Sequence, residues 1–185
     1  MGAIRALRRN SGFLAILVLL LVVGYWGIDP LRDRTPMTGA FQVVDGDSLR
    51  RNSEDFRLQG IDAPELKQTC EDATGRAYPC GREAHQMLRR LVQGRIIKCE
   101  STGVDRYNRT LAYCRAGDTD INDAMVSAGW AVSYYSLAYF LTELEARNAG
   151  LGLWQGAFQS PADWRADHRH SLVQDGVADG APQPD

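Results

Sequence analysis

The chain lacks an excess of positive charge. Its 185 residues hold 21 Lys and Arg against 23 Asp and Glu, a net charge of -2 at pH 7. Arg5, Arg8 and Arg9 are the only charged residues before Asp29, so the rest of the chain carries -5. That excludes phosphate binding through a broad basic face, the usual footprint of nucleic-acid binders. Any phosphate affinity must come from a few placed arginines and a bound cation. Close cysteine pairs are also lacking. Cys70, Cys80, Cys99 and Cys114 lie 10, 19 and 15 positions apart. None shows the two-to-four-residue gap of a zinc knuckle, so two disulfides are the better reading. There is no internal repeat, and no length for more than one domain of ordinary size.

Long apolar runs are scarce too, with one exception. Gly12 to Ile28 is 17 uncharged, mostly apolar residues. As a helix it spans roughly 25 Å, enough for a thin bilayer. The three preceding arginines favour a cytoplasmic N-terminus, and Tyr25 and Trp26 stand where an aromatic belt belongs. Small residues at a cleavage spacing are few, so residues 1–29 read as a signal-anchor, with a cleaved signal peptide as the alternative. Either places the domain outside the cytoplasm, periplasmic or at the cell surface when anchored and secreted when cleaved. Even-numbered cysteines agree with export.

Residues 30–38, with two prolines and mixed charge, read as a linker. Strands are expected at 40–44, 49–51, 55–61, 95–100 and 110–114. Within 55–61, Phe56 and Leu58 face one way and Arg57 and Gln59 the other. Helices are expected at 81–93, 121–128 and 136–149. The first carries the stripe Ala84, Met87, Leu88, Leu91, Val92. The third is expected to turn Leu137, Phe140, Leu141 and Leu144 inward and to pair Glu143 with Arg147 on its surface. Antiparallel pairing of 95–100 with 110–114 sets Cys99 across from Cys114, which leaves Cys70 and Cys80 to close a Gly-, Asp- and Pro-bearing insert. Two other connectivities remain possible from spacing alone. Asn122 reads as a structural hydrogen-bonding residue, and Trp130, Trp154 and Trp164 as core. Residues 166–185 have no periodicity and read as a disordered tail. The sum is an α+β domain over 39–165: a five-stranded OB-type β-barrel with three packed α-helices, preceded by the transmembrane or signal helix.

Chemistry concentrates in Val44-Asp45-Gly46-Asp47-Ser48 and Arg57-Leu58-Gln59-Gly60-Ile61-Asp62-Ala63-Pro64-Glu65. Crowded carboxylates repel unless a cation sits among them. An arginine beside them offers a planar fork for a phosphate oxygen. Acidic cage and phosphate fork together suggest metal-assisted phosphodiester hydrolysis. These two runs, the segment Asp105-Arg106-Tyr107-Asn108-Arg109 and the ending Gly152-Leu153-Trp154, in that order, resemble the thermonuclease family of staphylococcal-nuclease-like domains.

The resemblance implies a Ca²⁺ ion, in preference to Mg²⁺, held by Asp47, Asp62 and the backbone carbonyl of Ala63, with Asp45 acting through water. It implies Glu65 as general base, Arg57 and Arg109 as phosphate-gripping catalytic arginines, and Tyr107 and Tyr135 as contacts to the bound nucleotide. The substrate it implies is nucleic acid, DNA or RNA, cut with little sequence preference by a monomeric endonuclease that leaves 3′-phosphorylated ends. Four departures stand out. Ala63 replaces a family threonine, Asn108 a glycine, the lysine-rich surroundings are missing, and the insert from Cys70 to Cys80 occupies the region after Glu65. The rival is a non-catalytic nucleic-acid-binding or scaffold module on the same fold. A third reading is an envelope protein whose acidic cluster merely stiffens a loop with Ca²⁺.

Overall fold

Alternation of apolar and polar residues builds the sheet. Phe56 and Leu58 of β4 (Glu54–Leu58) are buried and Arg57 between them points the other way, as period-two patterning requires. The computed structural model describes residues 16–19, which are helical, and residues 36–168. Most of the 12–28 run and everything after residue 168 lie outside the described residues. Among the described residues, no helix is long and apolar enough to cross a membrane.

Six strands follow one path of hydrogen-bonded neighbours. In chain order they are β1 (Met37–Gly39), β2 (Gln42–Val43), β3 (Ser48–Arg51), β4, β8 (Ile97–Val104) and β9 (Thr110–Ala116); the spatial order is β1-β8-β9-β4-β3-β2. β10 (Thr119–Asp120) branches from β9 to make a seventh strand. This corrects the expected five-stranded barrel: the sheet has seven strands and is an open, curled half-barrel. β1 begins at Met37, within the stretch read as linker, and pairs with Ile97–Cys99. Two small ladders stand apart, β5 (Ile61–Asp62) with β11 (Val132–Ser133) and β6 (Cys70–Glu71) with β7 (Ala77–Tyr78).

Two helices close the core over the sheet. α1 (Cys80–Val92) buries Ala84, Leu88 and Val92, with Met87 and Leu91 at its edge. α2 (Ile121–Ser127) buries Ile121, Met125 and Val126 and is capped by Asp120, whose carboxylate accepts from the Asp123 N–H. Asn122 is fully buried. Its Oδ1 accepts from Cys114 N–H at 3.1 Å, and its Nδ2 donates to the carbonyls of Gln59 and Ala112 at 2.9 and 3.3 Å. One amide side chain thus ties α2 to β9 and to the turn after β4.

The third expected helix differs. α3 spans Phe140–Asn148, so Leu137 precedes it. Leu137 is 90% exposed, and Phe140, Leu141 and Leu144 also face solvent. The inward residues are Tyr139 and Ala146. Residues 136–139 are not helical, and the helix that follows buries Ala146 in place of the expected leucine stripe. Glu143 does not pair with Arg147 either: it accepts from the Ser133 N–H, and Arg147 lies 4.4 Å over the Trp154 ring. After a 3-10 turn at Gly152–Gln155 comes a fourth helix, α4 (Pro161–Asp167), which runs past residue 165. The disulfides pair Cys70 with Cys80 and Cys99 with Cys114.

Candidate active site

Register brings the charged residues together. Ser48 stands opposite Arg57 in the β3–β4 pair, and the Leu58 N–H donates to the Asp47 carbonyl at 2.8 Å, so Asp47 lies beside Arg57. β4 runs parallel to β9 with Phe56 opposite Thr110, which carries the 105–109 turn to the same rim. Val132 opposite Asp62 leads β11 straight into Tyr134 and Tyr135. The result is a cavity of about 810 Å³ whose walls include Asp45, Arg57, Glu65, Tyr107, Arg109, Tyr135 and Arg165.

Asp47 and Asp62 lie behind its wall, bonded to Arg57, and are almost wholly buried. The Asp47 carboxylate accepts from Arg57 Nη1 at 2.9 Å, Ser48 Oγ at 3.0 Å and the Ala63 N–H at 3.0 Å. Asp45 Oδ1 accepts from the Asp47 N–H at 3.0 Å and fixes the turn. Gly46 is required there: a Cβ would fall 2.7 Å from Ala63 Cβ and 3.0 Å from Ala84 Cβ. Gly81 does the same for Glu65, because a Cβ on it would meet the Glu65 carbonyl oxygen at 1.8 Å. The start of α1 therefore packs directly beneath the proposed base.

The guanidinium of Arg57 spans the two aspartates, with Nη2 donating to Asp62 Oδ1 at 2.6 Å. Burial disfavours its charge, but Asp47 and Asp62 outweigh burial and hold its pKa above the usual value. Burial pushes the Asp47 carboxyl up to about 7; Arg57 opposes that shift, and the negative charges of Asp45 and Asp62 add to it.

Arg109 lines the cavity while pairing with Asp105, Nη2 to Oδ2 at 2.7 Å. Asp105 also accepts from the N–H groups of Tyr107 and Arg109, so one carboxylate shapes the whole turn. Asn108 sits in left-handed backbone, φ 63°, the conformation a glycine would supply. Tyr135 also has positive φ, is 94% exposed and meets Tyr134 edge-on at 4.4 Å. It is an open aromatic face at the cavity rim.

Sequence reasoning missed Arg165. From α4 its Nη1 donates to Asp62 Oδ1 at 3.0 Å and Glu65 Oε1 at 2.9 Å, and its Nη2 to Asp62 Oδ2 at 2.9 Å. Ser160 as N-cap, Pro161 at N1 and Asp163 in the first turn are a legible helix start, so an ordered Arg165 could have been read. Gln68 was missed as well. Buried, it accepts from the Glu65 N–H at 3.2 Å and donates to the Gln159 carbonyl at 2.8 Å, linking the Glu65 turn to the approach to α4.

Among the described residues, no three acidic, histidine or cysteine side chains converge as a ready metal cage, since guanidiniums stand between the carboxylates. The donor set nevertheless fits a hard divalent cation. Asp45, Asp47, Asp62 and Glu65 bring four negative charges against the two of Arg57 and Arg165, and the donors are all oxygen.

An open half-barrel bearing carboxylates and arginines at one rim defines a class of α+β domain with a polyanion-sized cleft. The family described as "Staphylococcal nuclease homologue" matches residues 55–156, and the chain belongs to that family. It is 34% identical over 125 residues to "Succinoglycan biosynthesis protein ExoI" of Rhizobium meliloti (strain 1021), covering 65% of each chain. It is 31% identical over 144 residues to an "Uncharacterized endonuclease" of Haemophilus influenzae (strain ATCC 51907 / DSM 11121 / KW20 / Rd), covering 72% of this chain and 75% of that one. It is 32% identical over 121 residues to "Probable staphylococcal-like nuclease CAN3" of Oryza sativa subsp. japonica, covering 63% of this chain. The chain spans 65% of the first of these relatives and 29% of the third.

Proposed function

We propose that this chain is a nuclease that hydrolyses phosphodiester bonds in DNA or RNA with low sequence specificity, using Ca²⁺. The observation that carries the proposal is the convergence of Arg57, Arg109 and Glu65 on one cavity edged by Tyr107 and Tyr135, with buried Asp47 and Asp62 bonded to Arg57 behind it. Relatives with nuclease and endonuclease in their names support the reaction class.

Asp47, Asp62 and the Ala63 carbonyl would hold the cation, with Asp45 acting through water. When bound, the cation polarises a phosphoryl oxygen and offsets charge that develops there. Arg57 and Arg109 grip the scissile phosphate and neutralise its equatorial oxygens. Glu65 accepts the proton of the attacking water. Pro64 before it and Gly81 beneath it limit where its carboxylate can point. Tyr107 and Tyr135 offer faces on which any base can stack, at roughly 1–3 kcal/mol each, which gives weak base preference. We further propose a monomer, anchored by the apolar run at 12–28 with the domain outside the cytoplasm, or secreted where that run is cleaved. The two disulfides and the three arginines before the run support that placement.

Digestion of denatured DNA and of RNA by the purified chain tests the reading. Cleavage with Ca²⁺ that stops in chelator is the expected result, with turnover about 10² or more lower in Glu65→Gln and in Arg109→Ala at near-unchanged melting temperature. Binding without cleavage in any divalent cation would make the chain a nucleic-acid-binding module instead.

A further inference from the structure

The fourth helix holds a feature that the proposed chemistry does not use. α4 lies outside residues 55–156, the segment matched to the family, and it sends Arg165 to Asp62 and Glu65. The contact is a fork across two carboxylates. Both oxygens of Asp62 accept from Arg165, and the shared Nη1 also reaches Glu65 Oε1. Burial opposes the charge on Arg165, yet the hydrogen bonds and charge of Asp62, then those of Glu65, raise its pKa.

Counting lone pairs shows what this occupies. A carboxylate offers about four acceptor sites. Asp62 already serves Arg57 Nη2, Arg165 Nη1 and Arg165 Nη2. A divalent ion that takes Asp62 as a ligand must share it with two guanidiniums, and like charges at that separation repel. Arg57 is the better anchored of the two, since it also holds Asp47 and its side chain is half as exposed as that of Arg165. Arg165 is the one to leave. Glu65 has a parallel problem: its Oε1 already accepts from Arg165 Nη1 at 2.9 Å, so the guanidinium occupies an oxygen that a water would need to reach.

We infer that Arg165 is an internal counter-ion that competes with the divalent cation for Asp62 and masks Glu65, so that cation entry both completes the metal site and releases the base. The inference rests on the cation reading proposed above and adds to it a regulating residue. α4 is built for such an exchange. It is seven residues long, and Pro161 is its buried residue. Its approach is fixed instead, by Gln68 on the Gln159 carbonyl and by the Glu71 N–H on the Ala157 carbonyl at 2.8 Å. A fixed base and a short, lightly buried helix allow the guanidinium to swing without unseating the segment. By linkage, whatever removes Arg165 from Asp62 strengthens cation binding, and the cation weakens the Arg165 contact by the same factor.

Calorimetric titration of the full-length chain with CaCl₂, compared with Arg165→Ala and Arg165→Lys, tests this without reference to turnover. Arg165→Ala should bind Ca²⁺ about tenfold or more tightly than the wild type. Arg165→Lys, which keeps the charge and loses the fork, should fall between. A second readout uses the unaltered protein: Trp164 neighbours Arg165 on α4 and stacks on His168 at 4.1 Å. Its emission, isolated by subtracting Trp164→Phe, should change on Ca²⁺ addition in the wild type. Equal or weaker Ca²⁺ binding in a folded Arg165→Ala overturns the inference and leaves the nuclease reading intact. So does a wild type that binds Ca²⁺ with no Trp164 response, which decides the matter even if the alanine variant does not fold. Folded proteins that bind no Ca²⁺ at all would overturn both readings together.

Discussion

Asp47 shows how one residue is pulled in two directions. It has three good donors in Arg57, Ser48 and the Ala63 N–H, the set that normally keeps a carboxylate ionised. It is nonetheless pushed up to about 7 from an ordinary value of 3.8, because it is buried beside Asp45 and Asp62. The sign of the consequence follows. Between about pH 4 and 7 the folded chain keeps a proton that the unfolded chain releases, so stability falls as pH rises through that window and levels off above it. Asp55, held below its ordinary value by its hydrogen bond from Arg50, acts at lower pH and in the opposite sense. In chelator the melting temperature should therefore be lower at pH 7.5 than at pH 5, and Asp47→Asn should flatten the difference. A wild-type profile that is flat in chelator would show that Arg57 satisfies the cluster unaided. At this scale the sequence was informative where residues sit close along the chain. Asp45, Asp47, Arg57, Asp62 and Glu65 lie within 21 positions and meet in one site. The helix that carries Arg165 was legible, but its contact with Glu65, a hundred positions away, was not, because no local pattern says which cleft a distant guanidinium will enter.

The elements that do the positioning are small and unequal in legibility. The stripe of α1 was readable because five apolar residues repeat at helical spacing and the helix starts where they do. The stripe of α3 was not: apolar spacing suggested that Leu137, Phe140, Leu141 and Leu144 face inward, yet 136–139 is not helical and these residues are exposed, because apolar residues on a surface helix carry the same pattern. Strand alternation placed Phe56, Arg57 and Leu58 correctly, yet β1, β5, β10 and β11 are two or three residues long, too short for any period to register. The insert closed by Cys70 and Cys80 is the most consequential of these elements. Read as a departure from the family, it supports the site from behind: Glu71 holds Ala157, Gln68 holds Gln159, and Cys80 opens α1 beside Gly81 and Glu65. Replacing both cysteines with alanine should cost about 3 kcal/mol on the chain-entropy estimate. Amide exchange should show where that loss falls. Faster exchange at Gln68 and Glu71, with Cys114 under Asn122 unchanged, is the expected pattern. Uniform acceleration across the domain would mean that the insert braces the core and not the site.

For the whole molecule the decisive quantity is its charge. A net of -2 on the full chain, and -5 beyond Arg9, repels a polyanion at long range. Attraction must then be local, at the rim where Arg57 and Arg109 line the same cavity and Arg106 and Arg109 lie 4.8 and 5.5 Å from the ring of Tyr107. On the proposed reading, base stacking on Tyr107 and Tyr135 would supply what charge does not, and stacking is nearly indifferent to salt. The two contributions separate in one measurement. Each phosphate neutralised on a single strand contributes about -0.7 to the slope of log K against log salt. Arg57 and Arg109 together should give a slope near -1.4, shallow for a nucleic-acid binder. Titrating a labelled oligonucleotide against the Glu65→Gln chain in Ca²⁺, at several salt concentrations, reads that slope without cleavage. Arg109→Ala should flatten it by about half, while Tyr107→Ala should weaken binding at every salt concentration and leave the slope unchanged. A slope steeper than about -4 would require about six or more phosphate contacts. The substrate would then have to run across a face other than this cavity, and the rim of Arg57, Arg109 and the two tyrosines would lose its claim to be the place where the strand is held.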